Sequence, residues 1–172
     1  MPQLEIGVNL SSRQFQAPGL VAEVGRVLSE TGLSPRSLRL EVTESLLMDR
    51  HPQVADAMTG LRAMGVRIDL DDFGTGYSSL SYLHQFPIDT LKIDRSFIAR
   101  LTTGEGVEIV HTIIALAQSL DMEVVAEGVE TAQQLELLKQ LHCAYAQGYH
   151  LSRPVESERF AALLGERRSW AA

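Results

Sequence analysis

The chain has little of several features that point to particular classes of protein. A single cysteine, Cys143, among 172 residues excludes an intrachain disulfide and fits a reducing compartment. The five histidines are scattered, and no two of them have the spacing of a zinc motif. No apolar run approaches the ~20 residues of a membrane-spanning helix, and the first residues do not resemble a signal peptide. We therefore expect a cytoplasmic protein without membrane contact.

Positive charge is also scarce, since 15 lysines and arginines stand against 22 acidic residues, for a net charge of -7. A DNA-binding surface needs a basic footprint, so DNA is not an expected partner. An acidic balance is compatible with carboxylates that hold metal ions. A chain of 172 residues with 45% apolar residues is long enough for one domain with a core, so we expect residues 1–172 to form a single domain.

Apolar strand patterns and helical patterns alternate six times along the chain. The predicted strands are Leu4–Leu10, Leu38–Val42, Val66–Leu70, Thr90–Asp94, Glu123–Ala126 and Ala144–Gly148. Units of roughly 25 to 30 residues are typical of βαβ repeats, and Thr131 with Gln134 predicts a capping box for one helix. This pattern indicates an α/β fold with a parallel sheet, either doubly wound or closed as a barrel. A closed barrel of this kind needs eight strands.

The third predicted strand leads into two adjacent carboxylates and a loop with two glycines. Asp71 and Asp72 are followed by Gly74 and Gly76. Because neighbouring side chains on a strand point to opposite faces, we expect the two acids to converge only beyond the strand end. The glycines let the backbone approach a ligand closely. The pattern fits a divalent-metal site with a mobile loop, and it also fits a solvated turn, since Asp and Gly both favour turns.

Polar residues follow all six predicted strands. They are Asn9, Glu41, Asp71 with Asp72, Lys92 with Asp94, Glu127, and Gln147. Parallel strands place their carboxyl ends on one face, so we expect these groups to form a ring. Several acids around one lysine would repel each other without cations, and oxygen ligands favour Mg²⁺ or Mn²⁺ over zinc. Helix capping is the alternative for a single acid of this kind, and we favour it for Glu130 or Asp49.

Six motifs occur in a fixed order between about Leu4 and Pro154. They are Val8-Asn9-Leu10-Ser11, Glu41-Val42-Thr43-Glu44-Ser45, Asp71-Asp72-Phe73-Gly74-Thr75-Gly76-Tyr77-Ser78-Ser79, Leu91-Lys92-Ile93-Asp94, Ala126-Glu127-Gly128-Val129-Glu130 and Gln147-Gly148-Tyr149. With them the sequence resembles the EAL domain family of cyclic di-GMP phosphodiesterases. The resemblance implies a variant (β/α)₈ TIM-like barrel that hydrolyses cyclic di-GMP to linear pGpG with two Mg²⁺ or Mn²⁺ ions, in bacterial signal transduction.

The same resemblance implies roles for the polar residues at the strand ends. One metal ion would be bound by Asn9, Glu41 and Asp71, and the second by Asp71, Asp72 and Glu127. Glu127 would also serve as the general base. Lys92 would hold the attacking water or stabilise negative charge on the phosphate.

Further residues would support this site. Those placed near the substrate or behind the metal ligands are Asp94, Glu130, Gln147 and Pro154. Glu44 would anchor the loop from Asp72 to Ser79, to which Gly74 and Gly76 belong. In this family that loop also joins a dimer interface.

The sequence departs from the family in one respect, because no Glu-Ala-Leu motif occurs in these 172 residues. The resemblance puts that motif, whose Glu ligates a metal, on a segment before Met1 together with two strands. We therefore expect an N-terminally truncated, incomplete barrel of about six βα units, the C-terminal three-quarters of the domain. Its strand edges, near Ile6 and Ala146, would be exposed unless the missing segment or a second copy in a homo-oligomer covers them. Upstream sensory or GGDEF domains would belong to a longer protein.

Three functions are compatible with these residues. The favoured one is a cyclic di-GMP phosphodiesterase, with the activity of the isolated chain left open. A receptor that binds cyclic di-GMP without turnover is the alternative that loss of the Glu-Ala-Leu segment favours. The third is a metal-assisted barrel enzyme in which Lys92 abstracts a proton as a base, although it does not explain the Asp71-Asp72 pair.

Overall fold

The computed structural model describes residues 4–48, 52–74 and 80–165. Its strands are β1 (Ile6–Asn9), β2 (Leu38–Thr43), β3 (Arg67–Phe73), β4 (Thr90–Ile93), β5 (Glu123–Glu127) and β6 (Tyr145–Gln147). Its α-helices are α1 (Ser12–Phe15), α2 (Leu20–Thr31), α3 (Glu44–Met48), α4 (Pro52–Ala63), α5 (Arg95–Ala99), α6 (Gly104–Ser119), α7 (Ala132–Gln140) and α8 (Ser157–Gly165). Two short 3₁₀ helices span Pro35–Ser37 and Leu80–Gln85.

The six strands form one parallel sheet in the order β1-β2-β3-β4-β5-β6. Each strand therefore pairs with its neighbour in sequence, and helices lie between them. The sheet curls into a half-barrel, which confirms the predicted incomplete TIM-like barrel. Within the described ranges, β1 and β6 each have a strand neighbour on one side only, as expected for edges near Ile6 and Ala146.

The outer face of the sheet is apolar and packs under the helices. Leu40 and Val42 of β2 and Leu70 of β3 are almost completely buried there. Helix α4 covers this face with Met58 and Leu61, each 0% exposed, because residues three and four positions apart lie on one side of a helix. Each such side chain contributes roughly 1.5–3 kcal/mol when it leaves water. This layer holds the strands in register, and with them the polar residues on the other face.

The inner face carries polar side chains at both ends of the strands. At the amino ends of the strands, the Arg39 guanidinium lies 3.1 Å from carboxylate oxygens of both Asp69 and Glu123 and donates to the Thr90 hydroxyl at 2.7 Å. Burial raises the pKa of Asp69, and the charge of Arg39 opposes this. A buried ion pair needs both partners, since removing one leaves an uncompensated charge. Two residues further along β2, Glu41 lies on the same inner face. The ionic layer around Arg39 is therefore next to Glu41, on the side of the amino ends of the strands.

Local capping signals explain several helix starts. Thr131 and Gln134 form the predicted capping box at the start of α7. Thr131 is thus the N-cap, and the expectation that Glu130 caps this helix is wrong. Asp49, the other acid expected to cap a helix, lies outside the described residues. Asp94 caps α5 by accepting a hydrogen bond from the Ser96 N–H at 3.0 Å, so β4 ends one residue earlier than predicted. Among the described residues, none of the helices combines the length and the hydropathy that a membrane span requires.

Candidate active site

A bulge in β3 brings the two adjacent acids together. The pairing between β3 and β4 shifts register between Leu70 and Phe73, and Asp72 has a φ of 54°. An extra residue in one strand changes which face the following side chains occupy, and a positive φ away from glycine is strained backbone of the kind found at functional sites. The expectation that Asp71 and Asp72 converge only beyond the strand is therefore wrong: both lie within β3.

Three carboxylates cluster at the carboxyl ends of β3 and β5. One oxygen from each of Asp71, Asp72 and Glu127 lies within 4.8 Å of the other two. Burial raises the pKa of Glu127, and burial together with the charges of Asp71 and Asp94 raises the pKa of Asp72. Crowded carboxylates disfavour ionisation unless positive charge is nearby. This donor set of oxygens alone fits Mg²⁺ or Mn²⁺.

Lys92 supplies positive charge beside this cluster. Its Nζ lies 2.6 Å from Glu41 Oε2, 2.8 Å from Glu127 Oε1 and 3.0 Å from Asp71 Oδ1. Burial lowers the pKa of Lys92, but hydrogen bonds with Glu127 and Glu41 outweigh burial and leave the pKa above its ordinary value. A lysine held protonated in this way is a poor base, which argues against the proton-abstracting enzyme.

Two of the polar residues expected past the strand ends lie inside their strands instead. Glu41 and Lys92 are within β2 and β4, on the inner face, rather than beyond the strand ends. Asn9 ends β1 opposite Glu41, and Gln147 ends β6 opposite Glu127. The six parallel strands thus bring all the predicted ring positions toward the carboxyl ends of the strands, on one side of the half-barrel.

A cavity of about 960 Å³ opens beside the acidic cluster. Asp72 and Glu127 line one side of it. Its lining also includes all four residues expected near the substrate: Asp94, Glu130, Gln147 and Pro154. The structure therefore joins these positions, which come from four separate stretches of sequence, in one space.

Sequence analysis missed another part of the cavity lining. Arg95, Tyr149 and Arg153 line it, as do apolar residues of α8 such as Phe160. The Arg153 guanidinium lies 4.5 Å from the centre of the Tyr149 ring, a cation–π distance. For Arg95 and Arg153 the available signal was position, since Arg95 directly follows Asp94 and Arg153 directly precedes Pro154, whereas Tyr149 ends the motif that begins at Gln147.

Glu44 links the start of α3 to the end of β3. This side chain is 7% exposed, and its Oε2 accepts a hydrogen bond from the Gly74 N–H at 3.3 Å. Within the described residues its Oε1 is buried without a hydrogen-bond partner. Gly74 has a φ of 93°, and a Cβ there would come within 2.9 Å of the Phe97 ring, so glycine is required. Gly76 lies outside the described residues.

Glu44→Ala is expected to speed hydrogen exchange of the Gly74 amide by about tenfold or more, because a hydrogen bond to a charged acceptor contributes roughly 1.5–3 kcal/mol. NMR exchange rates at matched pH provide the measurement. Glu44→Gln keeps an oxygen acceptor without the charge and should retain part of the protection. Asp56→Ala, a change of an exposed acid on α4, should leave the rate unchanged. Equal exchange rates of the Gly74 amide in Glu44→Ala and in the parent chain would show that Glu44 does not hold the backbone at the end of β3.

Fold and site together define an incomplete TIM-like α/β barrel protein with a cluster of carboxylates at the carboxyl ends of its strands. The sequence profile of the EAL domain matches residues 1–154. The chain belongs to the EAL domain family.

Similar proteins agree with this assignment. Cyclic di-GMP phosphodiesterase NbdA of Pseudomonas aeruginosa is 47% identical over 154 residues, covering 89% of this chain and 20% of NbdA. The solved PaMucR phosphodiesterase in complex with c-di-GMP is 46% identical, with a TM-score of 0.86 over 91% of this chain and 64% of that one. The EAL domain of Mycobacterium smegmatis DcpA is 40% identical, with a TM-score of 0.91 over 96% of this chain and 74% of that one. The chain spans about a fifth of the length of the curated relatives it matches.

Proposed function

We propose that this chain carries most of the catalytic site of a cyclic di-GMP phosphodiesterase, which hydrolyses the dinucleotide to linear pGpG. The observation that carries the proposal is the cluster of Asp71, Asp72 and Glu127 around a protonated Lys92, beside a cavity of about 960 Å³. The relatives support cyclic di-GMP as the substrate, since NbdA is named a cyclic di-GMP phosphodiesterase and the PaMucR phosphodiesterase was solved in complex with c-di-GMP.

The carboxylates would hold the divalent ions that the family resemblance implies. Asp71, Asp72 and Glu127 would bind one Mg²⁺ or Mn²⁺ ion, and Asn9 and Glu41 would share Asp71 in binding the second. Bound ions would stabilise the charge that develops on the reacting phosphodiester and activate water for attack. The raised pKa values of Asp72 and Glu127 support this proposal, because crowded acids are relieved by a cation.

The protein's own groups would handle protons and charge. Glu127 would accept a proton from the water that adds to one phosphorus, and the bond from that phosphorus to the ribose 3′ oxygen would break. The leaving 3′ oxygen would take a proton from solvent water, so the ring of cyclic di-GMP would open to pGpG. Lys92 would keep its ammonium next to the developing negative charge, since its neighbours hold it protonated.

The cavity would orient the substrate. Asp94, Glu130, Gln147 and Pro154 line it and would contact the dinucleotide or support the ligands. Arg95 and Arg153 add positive charge where an anionic dinucleotide would lie. Tyr149 and Phe160 add ring surface for a base.

We also propose the molecular context. The domain would be cytoplasmic, with residues 1–172 forming its larger part. Two further βα units, or a second copy in a homo-oligomer, would cover the edges at β1 and β6 and close the barrel. Sensory or GGDEF domains would lie elsewhere in a longer protein.

The direct test is formation of pGpG, followed chromatographically. The 172-residue chain is incubated with cyclic di-GMP and Mn²⁺, alone and joined to the two amino-terminal βα units of an EAL relative. We expect the joined protein to form pGpG and to stop when a chelator is added. A joined protein that binds cyclic di-GMP tightly and never cleaves it would support a receptor instead.

A further inference from the structure

We propose that Gly7 is a positioning residue, which leaves the space that the carboxylate of Glu41 needs in order to reach Lys92. The inference rests on the proposed function, since it concerns the same metal site. Gly7 lies in β1, two residues before Asn9, and pairs in register with Arg39. Residues two apart on a strand share a face, so a side chain at Gly7 would point to the inner face that carries Glu41.

The Glu41 side chain lies directly over the Gly7 backbone. A Cβ atom added to Gly7 would overlap Glu41 Oε1 and lie 3.2 Å from its Cδ. An alanine is therefore compatible with this position only when the carboxylate moves. The overlap involves the end of a flexible side chain, so the strand itself would stay in place.

Displacing this carboxylate would disturb the charges of the site. Glu41 Oε2 lies 2.6 Å from Lys92 Nζ, and the same ammonium contacts Asp71 and Glu127. The Glu41 side chain is 16% exposed, and a carboxylate pushed from this position would lose its ion pair with Lys92. Groups that orient metal ligands typically change metal affinity 10–100-fold when altered.

Backbone conformation does not explain a glycine at this position. The φ of Gly7 lies outside the left-handed region, unlike that of Gly74 or Gly128. Glycine also weakens a strand interior compared with alanine, because it loses more conformational freedom on folding. A residue that lowers the stability of its strand and makes room for a catalytic-site carboxylate is best explained by that carboxylate.

The experiment compares Mn²⁺ binding and stability of Gly7→Ala with those of the parent chain. We expect calorimetry to give an Mn²⁺ Kd about tenfold higher for Gly7→Ala, while its metal-free thermal melt stays cooperative, because the chain still folds. Gly104→Ala is the matched control, because a Cβ there meets nothing within 4 Å. This control should keep the parent Kd.

A second arm isolates the contact with Glu41. In a Glu41→Ala background, Gly7→Ala should leave the Mn²⁺ Kd unchanged, because the overlapping carboxylate is gone. An equal loss of affinity in both backgrounds would overturn the inference, as would an unchanged Kd for Gly7→Ala in a parent chain that binds Mn²⁺. A parent chain that binds no Mn²⁺ would contradict the proposed function as well.

Discussion

Replacing Glu127 by glutamine is expected to lower the rate of cyclic di-GMP hydrolysis by roughly 100-fold or more in the completed barrel, the scale for loss of a general base. Glutamine keeps the size of the side chain and its hydrogen bond with Lys92, but it has no site for the proton of the attacking water. Burial raises the pKa of Glu127, which makes its carboxylate a stronger base. Initial rates of pGpG formation at saturating Mn²⁺ give the measurement.

Lys92→Ala should cause a loss of similar size through a different route. Its ammonium contacts three carboxylates, so its removal leaves those charges uncompensated and takes positive charge away from the phosphate. Glu136→Gln, a change of an exposed acid on α7, is the control and should keep the parent rate. If Glu127→Gln and Lys92→Ala both hydrolyse cyclic di-GMP at the parent rate, these residues are not the catalytic ones.

Asp71→Asn is expected to abolish the rise in melting temperature that Mn²⁺ gives the parent chain. An ion that binds only the folded chain stabilises it by mass action, by about 2.7 kcal/mol at 100 times its Kd. Asp71 is central because its carboxylate belongs to the acidic cluster and also contacts Lys92. Thermal melts with millimolar Mn²⁺ and with chelator measure the effect.

The control for that prediction is Asp56→Asn, which changes an exposed acid on α4 and should leave the Mn²⁺ shift intact. Weak binding to surface carboxylates would appear equally in all variants. An undiminished shift in Asp71→Asn would therefore mean that the acids at the end of β3 do not form the metal site.

Local patterns made most of the fold predictable from the sequence. The apolar alternation of Leu38, Leu40 and Val42 shows which face of β2 meets the helices, because the period of a strand is two residues. The capping box of Thr131 and Gln134 marks a helix start through bonds only three residues apart. Six such units in order led to a parallel sheet, and parallel strands put their carboxyl ends together.

The geometry of the site was less predictable, because it depends on contacts between distant segments. The bulge that turns Asp71 and Asp72 together arises from the pairing of β3 with β4, which no local pattern in β3 reveals. The overlap of Glu41 with Gly7 likewise depends on how a side chain crosses to the next strand. Arg95, at the start of α5, and Arg153, in the segment after β6, reach one cavity from separate parts of the chain, and a search for metal-binding residue types does not select them.

The central claim is that Asp71, Asp72 and Glu127 bind a divalent cation together. Anomalous scattering from a crystal of the chain grown with Mn²⁺ tests it most directly. We expect an anomalous peak at about 2 Å from carboxylate oxygens of all three residues, the distance typical of a small hard cation. A Mn²⁺-saturated crystal with no peak at this cluster, or with Mn²⁺ bound only at other surface acids, would contradict the claim.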